Sequence, residues 1–267
     1  MQSPYKIADE TWIVPTYMDV PGLGIVYFNP LLIRGKEPVI VDCAGPIHRE
    51  QYLKSMFSLV EPKDVKWIFL SHDDRDHSGN LMQVLDMCPN AKLVTNFVAV
   101  ARMAEEWQMP MHRLKWYNDG ESFSVGDRTL ACLRPPLFDG PATRGLYDAK
   151  TGVYYGVDCF GAIVPKLCED VGEVPPDAYE NAFNFFNRVN HPWHIYTDTK
   201  KVEAVANKIR ALNPKVITTY HGPPARNRTE DLLNRIVKVA AMEPLQHPTQ
   251  KDLEAMLAAA PPASAAS

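Results

Sequence analysis

The run VKWIFLSHDDRDHSGN, Val65 to Asn80, constrains this chain more than any other stretch. Its first six residues are mostly apolar, the pattern of a buried strand. Two histidines and three aspartates follow between His72 and His77. So much charge directly after a buried strand is odd for a plain surface loop. The spacing His72-x-Asp74-x-Asp76-His77 puts four donor side chains on one short loop. Imidazole suits zinc, iron and other transition metals, and carboxylates add hardness and charge. The competing reading is a solvated acidic loop that caps the next helix.

Composition narrows the classes around this motif. A chain of 267 residues can bury a large core, as one domain or two small ones. A formal net charge of -4 shows no basic excess, so nucleic acid is not expected as the main partner. No apolar run approaches the roughly 18 to 20 residues that cross a bilayer. The start, MQSPYKIADE, lacks a charged-then-apolar signal pattern. The five cysteines, Cys43, Cys88, Cys132, Cys159 and Cys168, form no CxxC pair and fit reduced thiols in a cytoplasmic protein.

Along the chain, short strand-like runs alternate with helix-like stretches. IVYFNPLLIRG and PVIVDCAG read as paired strands. IHREQYLKSMFSLV reads as an amphipathic helix, and SGNLMQVLDMC as another with Ser78 as its N-cap. GLYD and GVYYGVD read as a hairpin across AKTG, and TKKVEAVANKIRALN as a helix capped by Asp198. One domain is expected over residues 1–255, with a disordered Ala/Pro/Ser tail over 256–267. Two strand-rich halves, each followed by helices, predict two packed sheets with helices outside. Two further strands end on ligand-type residues: GVYYGVD at Asp158 and KVITTYHGP at His221. Loops at strand ends are where sites form.

Taken together, these motifs resemble the metallo-β-lactamase superfamily. HxDxDH is similar to the HxExDH of flavodiiron proteins and their stand-alone oxygen-binding di-iron relatives, where the hydrolases of the superfamily have HxHxDH. VIVDCAG, LYDAKTGVYYGVDCFG and YHGP fall in the family's order, and the resemblance runs from about Ile7 to Pro224. It implies an α/β fold, an αββα sandwich of two mixed sheets with helices outside. It also implies two metal sites. His72 and Asp74 would hold one ion, Asp76, His77 and His221 would surround the other, and Asp158 would bridge both. His77 is the less secure ligand. The family's further histidine before the bridging aspartate is missing, and that position falls at Asp139. Asp139 either replaces it, which is the favoured reading, or is a turn residue before Gly140-Pro141.

Asp74 and Asp139 shift the expected chemistry. If Asp74, Asp76, Asp139 and Asp158 all bind, their four negative charges cancel two divalent ions. Zinc hydrolysis depends on a net positive centre to acidify water. Extra carboxylates favour harder metals, so iron is preferred over zinc or manganese. The expected function is that of a metal-dependent oxidoreductase binding or reducing oxygen or a related small oxidant. A metal-dependent hydrolase of an ester, amide or phosphodiester is the alternative, and a non-catalytic oxygen sensor the second. His221 is followed by 267 - 221 = 46 residues, too few for a flavodoxin domain, so a separate electron-donor protein is expected. A homo-oligomer stays open.

Other residues carry weaker signals. His191 and His194 are read as structural or pocket-lining rather than a second metal site, Arg144 as salt-bridged rather than reaching a substrate anion, Arg75 equally as an ion-pair partner or a plain surface residue, and Cys159 as core. Trp107, Met109, Trp116 and Tyr117 line a pocket mouth or simply pack.

Overall fold

The structure, a computed structural model, describes residues 3–259. Strands β1 (Tyr5–Ala8) and β2 (Thr11–Ile13) open the chain, and β3 (Thr16–Val20) and β4 (Gly24–Phe28) form a separate two-stranded ribbon. β5 (Leu31–Ile33) and β6 (Val39–Val41) pair antiparallel; β7 (Trp67–Phe69), β8 (Lys92–Thr95) and β9 (Leu114–Trp116) then add in parallel. The crossovers carry α1 (Arg49–Met56), α2 (Arg75–Ser78), α3 (Leu81–Met87) and α4 (Phe97–Met103). Together β1-β2-β5-β6-β7-β8-β9 make a seven-stranded mixed sheet.

The second sheet has six strands in chain order: β10 (Ser122–Ser124), β11 (Thr129–Leu133), β12 (Gly145–Asp148), β13 (Val153–Tyr155), β14 (Val216–Thr218) and β15 (Ala225–Arg226). Its one parallel pair is β13 with β14, whose connection carries α5 (Pro176–Asn190) and α6 (Thr199–Leu212). α7 (Thr229–Ala240) and α8 (Gln250–Ala259) follow.

Strand alternation sorts the core into three layers. In β6, Val39 and Val41 join a cluster shared with Leu130, Leu146 and Tyr155 of the second sheet. Ile40 between them faces outward onto Tyr52 and Met56 of α1 and Val84 and Leu85 of α3. On the far side Tyr154 and Ile217 pack with Phe183, Ala206 and Leu233 of α5, α6 and α7. The period of two is the pleat of a strand buried on both faces. This is the expected αββα sandwich.

Three local expectations change. IVYFNPLLIRG is two strands: β4 pairs with β3, and β5 begins after Asn29-Pro30 in the large sheet. Pro30 has no N–H to give a ladder, so the run breaks there. Ser78 is not a cap; it closes the four-residue α2 and donates from its hydroxyl to the Asp73 carbonyl at 2.8 Å. Residues 256–259, expected in a disordered tail, continue α8, whose KDLEAMLAA run is rich in good helix formers. Residues 260–267 lie outside the described residues. Asp198 does cap α6, accepting from the Lys200 N–H at 2.9 Å.

Candidate metal centre

Four strands run out towards one place. β6 delivers Asp42, β7 leads through Ser71 to His72, β13 through Val157 to Asp158, and β14 through Tyr220 to His221. The two parallel pairs, β6–β7 and β13–β14, bring these ends together across the sandwich. Two of the exits are conformationally demanding. Asp42 and Ala44 have φ of 60° and 55°, and Val157 and Phe160 have φ of 60° and 70°. A β-branched residue in the left-handed region is a genuine outlier and persists only when its surroundings over-determine it. Here the Val157 carbonyl accepts from the Tyr220 N–H at 2.7 Å and the Thr219 hydroxyl at 2.8 Å. Asn187 of α5 holds the other side of the turn, accepting from Phe160 N at 3.0 Å and donating to the Gly161 carbonyl at 2.9 Å.

The seven residues singled out from the sequence all meet here. His72 Nε2 faces Asp139 Oδ2 at 3.4 Å, Asp158 Oδ2 at 3.5 Å and Asp74 Oδ2 at 3.7 Å. On the other side, Asp158 Oδ1 is 3.0 Å from His77 Nε2 and 3.2 Å from His221 Nε2. Asp76 Oδ2 lies 3.3 Å from His221 Nε2 and 3.7 Å from His77 Nε2. The two oxygens of Asp158 therefore serve two separate donor clusters. Asp139 makes the turn and also faces the centre. Its Oδ1 accepts from Gly140 N and the Thr143 hydroxyl, as a turn residue would, while Oδ2 faces His72.

These atoms suit two cations. His72 Nε2 is buried and has no hydrogen-bond partner among the described residues. Donors about 2.1 Å from a shared ion at tetrahedral or octahedral angles stand roughly 3.0–3.5 Å apart. The separations above fall in or close to that range. All three imidazoles are also oriented from behind. His72 Nδ1 meets the Ser71 hydroxyl at 3.0 Å, His77 Nδ1 meets Asp42 Oδ2 at 2.9 Å, and His221 Nδ1 meets the Tyr27 carbonyl at 2.9 Å. An acceptor behind Nδ1 leaves Nε2 as the free donor atom, the arrangement found behind metal-binding histidines.

Charge balance supports the same reading. Burial disfavours the imidazolium of His72, but Asp158, Asp139 and Asp74 outweigh it and push the group up to about 10. His221 is likewise pushed up to about 10 by Asp158 and Asp76 against the cost of burial. Asp76, despite burial, is held at about 2 by His77 and His221. The centre thus demands positive charge, which protons supply when no metal does.

Asp42 is the residue that motif reading left outside the candidate set. It is fully buried, and four donors converge on its carboxylate: Ser71 N and Oγ at 2.8 Å, the Tyr155 hydroxyl at 2.5 Å and His77 Nδ1. Its trace in the sequence is the aspartate that ends the strand run VIVD within VIVDCAG, which the resemblance matches to an early strand of the family. The remaining candidates sort cleanly. His194 bridges the His191 and Met242 carbonyls, and His191 is tied to the Asn187 carbonyl, so both serve the fold. Arg144 forms no salt bridge among the described residues. It is buried and donates to the Pro141 and Thr143 carbonyls of its own loop. Arg75 pairs with Glu106 at 3.5 Å and stacks on Trp107. Trp107 lines a cavity of about 480 Å³ that opens on Asp74 and Asp76, Met109 is core, Trp116 packs on Phe97 and Tyr117 on Phe123. Cys159 is core, as expected.

Comparison with known proteins places this geometry. Residues 26–222 match the family model described as ODP family beta lactamase. Diflavin flavoprotein A 1 of Synechocystis sp. PCC 6803 is 24% identical over 216 residues, covering 78% of this chain and 35% of that protein. The anaerobic nitric oxide reductase flavorubredoxin of Vibrio vulnificus is 22% identical over 198 residues, covering 73% of this chain and 39% of that protein. The chain spans about a third of the length of the first curated relatives it matches. Among solved structures, rubredoxin oxygen:oxidoreductase of Desulfovibrio gigas superposes with a TM-score of 0.78 at 18% identity, covering 91% of this chain and 63% of that one. The chain belongs to the ODP family of beta lactamases and has the metallo-β-lactamase-like fold seen in flavodiiron proteins.

Proposed function

We propose that the centre holds two iron ions and that the protein binds or reduces dioxygen or nitric oxide there. The observation that carries this is the bridging geometry of Asp158, one oxygen to each donor cluster, combined with four aspartates in the set. His72, Asp74 and Asp139 would hold one ion, and Asp76, His77 and His221 the other. Bound iron would supply redox equivalents and a binding position for a diatomic oxidant. Four carboxylates neutralise two divalent ions, which blunts the acidification of water that zinc hydrolases rely on. The same carboxylates favour a harder metal. The relatives point the same way, since the names of the flavorubredoxin and the oxidoreductase specify nitric oxide and oxygen.

The chain's own residues do the rest. Asp42, Ser71 and the Tyr27 carbonyl fix the histidine tautomers. Asn187 and the Val157 carbonyl network hold Asp158 between the clusters. The cavity beside Asp74 and Asp76 admits a small molecule. Electrons come from a separate donor protein, and the reaction runs in the cytoplasm. The functional unit is the domain over residues 1–255.

Metal analysis of protein purified without added metal, combined with its optical spectrum, tests the reading. Two irons per chain with an oxygen-sensitive spectrum are expected. A colourless zinc protein indifferent to oxygen would overturn it. Steady oxygen or nitric oxide consumption with a reductase and donor present separates turnover from sensing.

A further inference from the structure

A second cavity lies against the segment that precedes Asp139. There the LRPPLF segment crosses α6 and encloses a cavity of about 260 Å³. Its walls include Pro136 and Phe138 from the loop and Val205 and Leu212 from α6. Val205, Lys208 and Leu212 follow the three- and four-residue spacing that places side chains on one helix face. Pro135 and Pro136 fix the backbone φ of this segment. Phe138 is braced from outside by Trp193, ring centroids 5.0 Å apart.

Two cations face this apolar space, Arg134 and Lys208. Neither forms an ion pair among the described residues, whereas Arg128, Arg210, Arg226 and Arg235 all do. The Arg134 guanidinium lies 4.7 Å from the Phe138 ring centroid and donates from one terminal nitrogen to the Pro141 carbonyl at 3.3 Å, while its Nε is buried with no hydrogen-bond partner among the described residues. The one carboxylate on the lining, Asp119, is engaged by the Arg134 backbone N–H at 2.6 Å. In a chain of net charge -4, this is a local concentration of positive charge beside an apolar hole.

We propose that this cavity is a binding site for a small amphipathic anion, an aromatic or branched aliphatic carboxylate. The apolar body would lie between Phe138, Pro136 and the Val205–Leu212 face of α6. The carboxylate would pair with Lys208 and Arg134, whose free Nε supplies a donor in the planar fork that suits carboxylates. The volume lies just below that of pockets for drug-sized ligands, which limits the ligand to a small one. Nothing in this site depends on the identity of the metal.

The test uses the metal-loaded full chain and two isosteric probes, naphthalene-2-carboxylate and naphthalene-2-carboxamide, titrated by calorimetry. The carboxylate is expected to bind at least tenfold tighter than the carboxamide. Lys208→Glu should abolish that preference while keeping carboxamide binding. Val205→Trp, which fills the cavity, should remove both. Equal affinity of the wild-type protein for the two probes would overturn the anion site, as would no binding of either. Carboxylate binding that survives Val205→Trp would also overturn it, because the probe would then sit elsewhere, for example on the metals. Unchanged metal content and far-ultraviolet circular dichroism in both variants keep a folding defect from imitating the expected loss.

Discussion

Replacing Asp42 by asparagine tests whether the residue behind His77 sets that histidine's tautomer. Asparagine keeps the size and tolerates φ of 60°, so the backbone turn survives. The amide can replace only one carboxylate oxygen as an acceptor. Keeping Oδ1 for Ser71 N leaves an NH2 facing Ser71 Oγ, the Tyr155 hydroxyl and His77 Nδ1. The two hydroxyls can turn and accept instead. His77 Nδ1 keeps only the Ser71 hydroxyl as an acceptor, at 3.3 Å, and against the new amide it must itself accept, which moves its proton to Nε2, the atom 3.0 Å from Asp158. That tautomer cannot bind a metal through Nε2. Loss of such an orienting partner costs about 10- to 100-fold in metal affinity, roughly 1.4–2.8 kcal/mol. Competition with a chromophoric chelator resolves the two ions. The Asp76–His77–His221 half should weaken by that factor, and the His72 half should stay within about threefold. Undiminished affinity at both would refute the tautomer argument and with it His77 as a ligand.

Asp158→Ala removes the carboxylate that, alone among the described residues, is shared by both clusters, so inductively coupled plasma measurement should find both ions lost. In the metal-free protein, His72 and His221 titrate near 10 instead of 6.5, so their stabilising contribution is complete below about pH 6.5. It is lost as pH rises through 10, and the Tm of metal-stripped protein should fall across that window while metal-loaded protein resists. Burial pushes Cys88 up to about 11 and Cys132 up to about 12, and all five cysteines are buried. Thiolate is the reactive form, so iodoacetamide at pH 8 should label none in folded protein and all five after unfolding. A Cβ on Gly161 would stand 2.3 Å from Phe186 Cε1 and 3.0 Å from the Asp158 carbonyl. Gly161→Ala should therefore cost about 1–3 kcal/mol in urea unfolding and weaken metal binding, because the turn carrying Asp158 must shift.

How much of this could be read from the chain differs by residue. His72, Asp74, Asp76 and His77 lie within six residues, from just past the end of β7 into α2, where spacing alone displays a donor set. Asp158 and His221 were legible because each ends an apolar run, and strand ends gather at sites. Asp139 was legible only against the resemblance. By itself it reads as a turn aspartate, and the structure shows it filling that role with one oxygen and facing His72 with the other. Asp42 was hidden, because a single aspartate after a strand has no spacing partner. Its importance comes from Ser71, His77 and Tyr155, which lie 29, 35 and 113 residues away in sequence. The break at Pro30 follows from proline's missing N–H. The loss of Ser78 as a cap does not, since it depends on a hydroxyl finding the Asp73 carbonyl once the loop is packed.

The sequence by itself determined the donor types, their order along the chain and the apolar runs that make strands, because those depend on local chemistry and on a period of two. Only the tertiary structure decided which oxygen of Asp158 faces which cluster, which nitrogen of each histidine is free, and that Arg134 and Lys208 share an apolar cavity. Each of those facts is a distance between segments remote in sequence, set by how two sheets pack face to face.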